Sequence, residues 1–387
     1  MDADYLRDLA DLVLRLLHVV AGIAWIGASF YFIRLDLGLR PPEDPADAER
    51  GVAGEYWGVH GGGFYHSQKY KVAPPKLPEH LHWFKWEAYT TWLSGFALLV
   101  VLYWLEADTR LVDPAVADLS EWQAVAISAA GLALAWLAYD AACRFLRDDR
   151  AVAVAVAVLV ALSAYGAGEL FAARASFLQV GAMLGTIMAA NVFFVIIPAH
   201  WELVRAKQQG RDPDPAPGLR AKQRSVHNNY LTLPVVFTML AGHFPLAFGS
   251  GHAWLVLLAI FAIVAAIRHF FNRWHVGRRP WWILAATAVG AVALAIVLAP
   301  EDDLPRGTAD YALGDSGAQA IVTQRCTACH VGASAPNGIR LETLDEIRTN
   351  ASLIESQVSS RAMPPGNATG MTDDERAQLV AWAAAAR

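Results

Sequence analysis

Eight apolar stretches govern what this 387-residue chain can fold into. They run approximately 11–33, 85–105, 122–142, 151–171, 176–199, 227–247, 253–271 and 281–299. Each is long enough to cross a hydrocarbon layer of about 30 Å at about 1.5 Å per residue. Inside lipid every backbone amide must find its partner within the chain, so such stretches are predicted to be helices. The Ala-Val alternation after Ala151 suits a strand, but its length and its setting among other spans favour helix. The composition agrees, with 55% hydrophobic residues, 17% charged residues and a mean hydropathy of +0.31. No basic region precedes the first stretch, so it is expected to stay as a membrane helix rather than be cleaved.

From Pro300 the composition turns polar, with Glu301, Asp302, Asp303, Pro305 and Arg306. The expected organisation is a membrane domain over 1–300, a linker over 301–309 and a small soluble domain over 310–387. The soluble part carries Cys326-Thr327-Ala328-Cys329-His330. Cys-x-x-Cys-His is the attachment signature of c-type haem: each thiol takes one vinyl group and the histidine supplies an imidazole to iron. A structural zinc site would need two further Cys or His nearby, and none follows His330. Met363, in Arg361-Ala362-Met363-Pro364-Pro365-Gly366, is the candidate for the second axial ligand, with Met371 as its rival. Thr372 to Glu375 reads as a helix N-cap with an acidic first turn, opening a closing helix to Ala386. The expected fold is therefore all-α: an eight-span helical bundle fused to a small class I-like cytochrome c domain.

Haem c is attached outside the cytoplasm, and eight spans put both termini on that same side. Loops 36–84, 143–150, 200–226 and 272–280 are then cytoplasmic, and they hold most of the lysines and arginines. The opposite segments carry only Arg7, Arg110 and Arg174 before the linker, as the positive-inside rule requires. The implied location is a bacterial inner membrane, with lipid around the spans and the C-terminal domain in the periplasm. No nucleotide-binding glycine fingerprint, serine-hydrolase elbow or nucleic-acid-binding surface is evident.

Histidines within spans are expensive and usually functional. His18 in the first stretch and His243 near the periplasmic end of the sixth are candidate ligands for a b-type haem, with His252 a weaker one. A second polar group gathers at the cytoplasmic end. Arg34 ends the first stretch, Lys85 and Glu87 begin the second, and His227-Asn228-Asn229 with Thr232 opens the sixth. His60 and His66 flank Gly61-Gly62-Gly63, where the backbone could approach a ligand closely. Paired amides, imidazoles and cations suit a flat, polar, anionic heterocycle. His269 and His275, beside arginines, read as inner-surface residues, and most tryptophans as belt residues.

Three long strings carry a family likeness: Val59-His60-Gly61-Gly62-Gly63-Phe64-Tyr65-His66, the run His82 to Trp92, and Arg224-Ser225-Val226-His227-Asn228-Asn229-Tyr230-Leu231-Thr232-Leu233-Pro234. With the tail from Met363 to Thr372, the chain resembles the membrane-bound, cytochrome c-linked urate oxidases (urate hydroxylases) of bacteria over nearly its whole length. The resemblance implies oxidation of urate to 5-hydroxyisourate, with electrons leaving through haem c to a downstream cytochrome or terminal oxidase. It makes His227 the first choice of base and Glu87 the second, with Asn229 beside them. Asn228, Thr232, Arg34, His60, His66 and Lys85 become candidate urate contacts. More loosely, His18, Trp25-Ile26-Gly27 and Arg34 resemble the first span of membrane haem-binding protoporphyrinogen oxidases. Two other readings fit the same parts: a quinol:cytochrome c reductase, and a purine transporter with a cytochrome domain.

Overall fold

The computed structural model describes residues 3–249, 252–299, 313–332, 335–367 and 369–386. The expected linker, 301–309, lies outside the described residues. The chain forms two compact units: Met1–Leu99, Ala182–Val236 and Phe261–Val289 make the first, and Val100–Gly181, Phe237–Ile260 and Gly290–Arg387 the second.

The first unit opens with α1 (Ala3–Gly38), a continuous helix of 36 residues. A short α2 (Pro45–Glu49) follows, capped by the Asp44 side chain. The segment read from sequence as a loop then folds into an antiparallel hairpin of β1 (Val52–His60) and β2 (Gly63–Tyr70). The all-α expectation is corrected at this point. His60 pairs with Gly63, and Gly61 and Gly62 form the two-residue turn at φ 57° and 81°. Two consecutive positive φ values match the right-handed twist of a hairpin and demand glycine. These glycines therefore serve the turn. The Asp36 carboxylate near the end of α1 ties the unit together, pairing with Lys69 of β2 and, at 3.0 Å, with Lys222. α3 (Trp86–Leu99) packs along α1.

In the second unit a π turn (Val100–Trp104) continues α3 and leads to α4 (Ala107–Arg110). α5 (Glu121–Phe145) and α6 (Asp149–Leu170) are antiparallel neighbours. α7 (Ala173–Asn191) leaves the second unit at Gly181 and continues in the first through a second π turn (Val192–Ile196) into α8 (Ile197–Gln208). Of the remaining apolar helices, α9 (Pro215–Ala241) belongs to the first unit as far as Val236, the short α10 (Pro245–Phe248) to the second, α11 (Ala253–His275) to the first from Phe261, and α12 (Trp281–Val297) to the first as far as Val289.

Among the described residues, five helical segments are long and apolar enough to cross a membrane: Tyr5–Gly38, Glu121–Phe145, Asp149–Leu170, Ala173–Gln208 and Ala253–His275. The other three expected spans fall short for separate reasons. α3 with its π turn ends at Trp104 and has the charged Glu87 in its first turn, α12 is 17 residues, and α9 stops at Ala241 with Pro234 inside it.

The C-terminal part is helical: α13 (Asp315–Arg325), α14 (Leu344–Thr349), α15 (Ala351–Ser359) and α16 (Asp373–Ala385). Its core joins Ala318, Val322, Ile347, Ile354, Leu379 and Ala383 from all four. The expected cap at Thr372 is present as a reciprocal box: Glu375 N–H donates to Thr372 Oγ1, and Thr372 N–H to Glu375 Oε2. Short 3-10 turns lie at Pro336–Gly338 and Pro365–Asn367, and α4 packs against the latter.

Candidate functional site

Cys326 caps the end of α13, and the chain turns at once so that Cys329 and His330 N–H groups both bond to the Cys326 carbonyl. Burial pushes the Cys326 thiol up to about 11, and Cys329 beside it adds to the shift. His330 Nδ1 lies 2.9 Å from the Ile339 carbonyl. A carbonyl can only accept, so Nδ1 carries the proton and Nε2 keeps its lone pair for a metal. Met371, the rival axial residue, is buried in the helical core. Met363 instead sits half-buried on the loop before α16, with its N–H on the Gln357 carbonyl and its own carbonyl held by Arg376 at 2.7 Å. These residues fit the covalent haem that their spacing implies: two cysteines, one oriented imidazole and one thioether left out of the core.

The polar residues at the ends of α1, α3, α8, α9 and α11 fall into separate clusters. Asn228 is spent on structure: it accepts from Asn191 Nδ2 at 2.9 Å and donates to the Met188 carbonyl at 2.9 Å. Thr232 returns its hydroxyl to the Asn228 carbonyl one turn back. Arg34 is exposed, donating to Tyr56 Oη at 3.1 Å and lying 3.4 Å from His275 Nδ1. Lys85 lies over the Trp83 and Trp86 rings. His66 is engaged by Glu55 at 2.8 Å and stacks on Trp57 at 4.0 Å, while His60 is exposed at the hairpin turn. His227 is half-buried on α9. Glu87 opens α3 with one buried carboxylate oxygen that has no hydrogen-bond partner.

Asn229 is different. It is fully buried, and its Oδ1 accepts from Arg268 Nε and from Asn272 Nδ2, each at 3.0 Å. Arg268 and Asn272 lie one turn apart on α11, and the Arg268 guanidinium covers the Phe30 ring of α1 at 4.0 Å. Sequence reading missed both. The signal was present: a cation and an amide at i and i+4 inside an apolar run share one helix face.

His18 Nδ1 lies 2.9 Å from the Thr91 carbonyl and 3.2 Å from Ser94 Oγ, so Nδ1 carries the proton and Nε2 keeps its lone pair. His243 is exposed in the turn after α9, and His252 precedes α11. No group of three or more metal-binding side chains forms among the described residues.

Residues 4–299 match the urate oxidase N-terminal family. The chain belongs to that family. The match takes in the helices from α1 to α12, including the Asn229 cluster, and ends before the Cys-x-x-Cys-His segment. No curated protein and no solved structure matches the chain. Membership of the urate oxidase N-terminal family makes the apolar helices those of a urate-related oxidoreductase, and several of them are long enough to span a membrane.

Proposed function

We propose that the protein oxidises urate to 5-hydroxyisourate in a bacterial inner membrane and passes the electrons to a haem c held by Cys326, Cys329, His330 and Met363. The observation that carries this reading is the urate oxidase match over 4–299 joined, in one chain, to a Cys-x-x-Cys-His turn whose histidine is already oriented. The balance is urate plus water giving 5-hydroxyisourate, two electrons and two protons. Haem c supplies one-electron acceptance, and a downstream cytochrome or terminal oxidase takes the electrons onward. Two electrons arriving at a one-electron acceptor call for sequential transfers or a second centre, for which His18 and His243 are the proposed ligands of a haem b. Glu87, with its unpartnered buried carboxylate oxygen, and His227 on α9 are the proposed proton acceptors. Asn229 orients the substrate from the centre of its buried cluster.

The test is an anaerobic spectrum of the full-length protein before and after urate is added. Reduction of a c-type band by urate alone supports the proposal. Failure of urate to reduce a haem that dithionite does reduce would overturn it. One observation favours a second reading. A groove of about 470 Å³ runs between α9, α11 and α12, lined largely by alanines and isoleucines. Tyr230 and His269, 2.6 Å apart, supply its polar groups. Such a groove suits a quinol, and reduction of the haem by quinol but not by urate would establish that alternative.

A further inference from the structure

The unspent atoms of the Asn229 cluster form a pattern. Asn229 Oδ1 faces two donors, so its Nδ2 points away from them. Asn272 gives its Nδ2 to that oxygen, so its Oδ1 is left over. The two bonds fix both amide orientations. Asn229 Nδ2, Asn272 Oδ1 and Arg268 Nη2 are all buried without a hydrogen-bond partner. Arg268 itself is 5% exposed, and no carboxylate pairs with it among the described residues. A buried cation with no counter-charge, beside two half-satisfied amides, is strongly unfavourable unless something completes the set.

We propose that the unpartnered polar atoms of Arg268, Asn229 and Asn272 recognise a planar, anionic oxo-heterocycle. Arg268 Nη2 and Asn229 Nδ2 donate to a ring carbonyl oxygen and a deprotonated ring nitrogen, and Asn272 Oδ1 accepts a ring N–H. The acceptor decides the ligand class. A simple carboxylate offers no donor and would meet Asn272 Oδ1 with repulsion. An oxopurine anion offers carbonyl, anionic nitrogen and N–H along one edge. Naming urate as that anion rests on the proposed function.

The experiment uses full-length protein in detergent, reduced with dithionite under anaerobic conditions so that bound urate cannot turn over. Radiolabelled urate and hypoxanthine are measured by equilibrium dialysis. Arg268→Lys, which keeps the charge but not the fork, and Asn272→Asp should each raise the urate Kd about tenfold or more. Asn272→Asp should also narrow the preference for urate over neutral hypoxanthine, because its carboxylate neutralises Arg268. An unchanged melting temperature shows that the variants are folded. Urate Kd values within about twofold of wild type in both variants would overturn the site. So would wild-type protein that binds hypoxanthine as tightly as urate, a result that needs no variant to fold. The function is judged separately by haem reduction. Urate that reduces the wild-type haem while both variants bind normally removes the site and leaves the function. Urate binding that the variants weaken, without any haem reduction in wild type, keeps the site and removes the function.

Discussion

Replacing Arg376 with leucine should loosen the loop that presents Met363. The Arg376 side chain enters the C-terminal core from α16 and is 7% exposed. It donates to the Val358 carbonyl at 2.8 Å and the Met363 carbonyl at 2.7 Å, and reaches Asn367 Oδ1 at 3.4 Å. Burial and the neighbouring charge of Arg361 work against its own charge, while Asp373 and Asp113 favour it. Leucine cannot donate, so two carbonyls lose a charged partner, at about 1–3 kcal/mol each where water cannot replace it. Relief from burying the guanidinium offsets part of this, leaving a net loss of about 2–4 kcal/mol. For a cooperative unit the size of α13–α16, that lowers the melting temperature by about 10 °C or more. The assay is thermal unfolding of the full-length protein followed through the absorbance of the proposed haem c, together with the weak near-infrared band that thioether ligation would give it in the ferric state. The variant should melt early and lose that band; Arg376→Lys should fall between. A leucine variant that melts within about 2 °C of wild type and keeps the band would refute the argument.

Other perturbations test other parts. Cys326→Ala should abolish covalent haem and urate-driven haem reduction, and normal turnover without covalent haem would break the proposed electron path. A Cβ at Gly181 would collide with the Thr238 hydroxyl and stand 2.7 Å from Thr238 Cβ, so Gly181→Ala should destabilise by about 1–3 kcal/mol, and adding Thr238→Gly, which removes both atoms, should recover more of the loss than adding Thr238→Ala in double-mutant cycles. A Cβ at Gly95 would stand 2.7 Å from His18 Cε1, so Gly95→Ala should displace that imidazole and lower any non-covalent haem content; an unchanged pyridine haemochrome would remove His18 as a ligand. Burial raises the Glu375 pKa, but bonds from Arg325 and the Thr372 amide outweigh it and hold the carboxyl below the usual glutamate range. A depressed folded-state pKa contributes stability above the unfolded value and loses it as pH falls through the folded one. The packing of α13–α16 should therefore weaken in acid, and Glu375→Gln should flatten that acid limb in urea titrations.

Local patterns were the legible ones. The Thr372 cap depends on a few consecutive residues and folds as their spacing implies, and the Cys326–His330 segment forms one tight turn after α13. Hydropathy located α9 but misjudged its extent. It read 227–247, whereas the helix covers Pro215–Ala241. The polar first half is anchored by Lys222 on Asp36 and Arg224 near Asn191, pairings made by residues far apart in the chain. The hairpin was hidden because Gly61–Gly63 suit a tight turn and a ligand cradle equally well until the register is known. Arg268 and Asn272 escaped notice because an apolar run around one cation looks like a helix end, and their partner Asn229 lies on another helix. Asn228, its sequence neighbour, looked equivalent but points to Met188 and Asn191.

The π turn between α7 and α8 sets phase as well as path. Pro198 follows it by two residues, and in an unbroken α-helix its ring would strike the Phe194 carbonyl four residues back. Widening the coil there accommodates the ring and adds one residue to the turn. Each residue advances a helix by about 100°, so deleting one position within Val192–Ile196 would swing everything beyond it by that angle. Trp201 now stacks on Trp83 at 4.4 Å, with His200 beside it. A single-residue deletion, with no change in the chemistry of any side chain, would turn both away. Insertions and deletions in this segment should therefore be far less tolerated than substitutions.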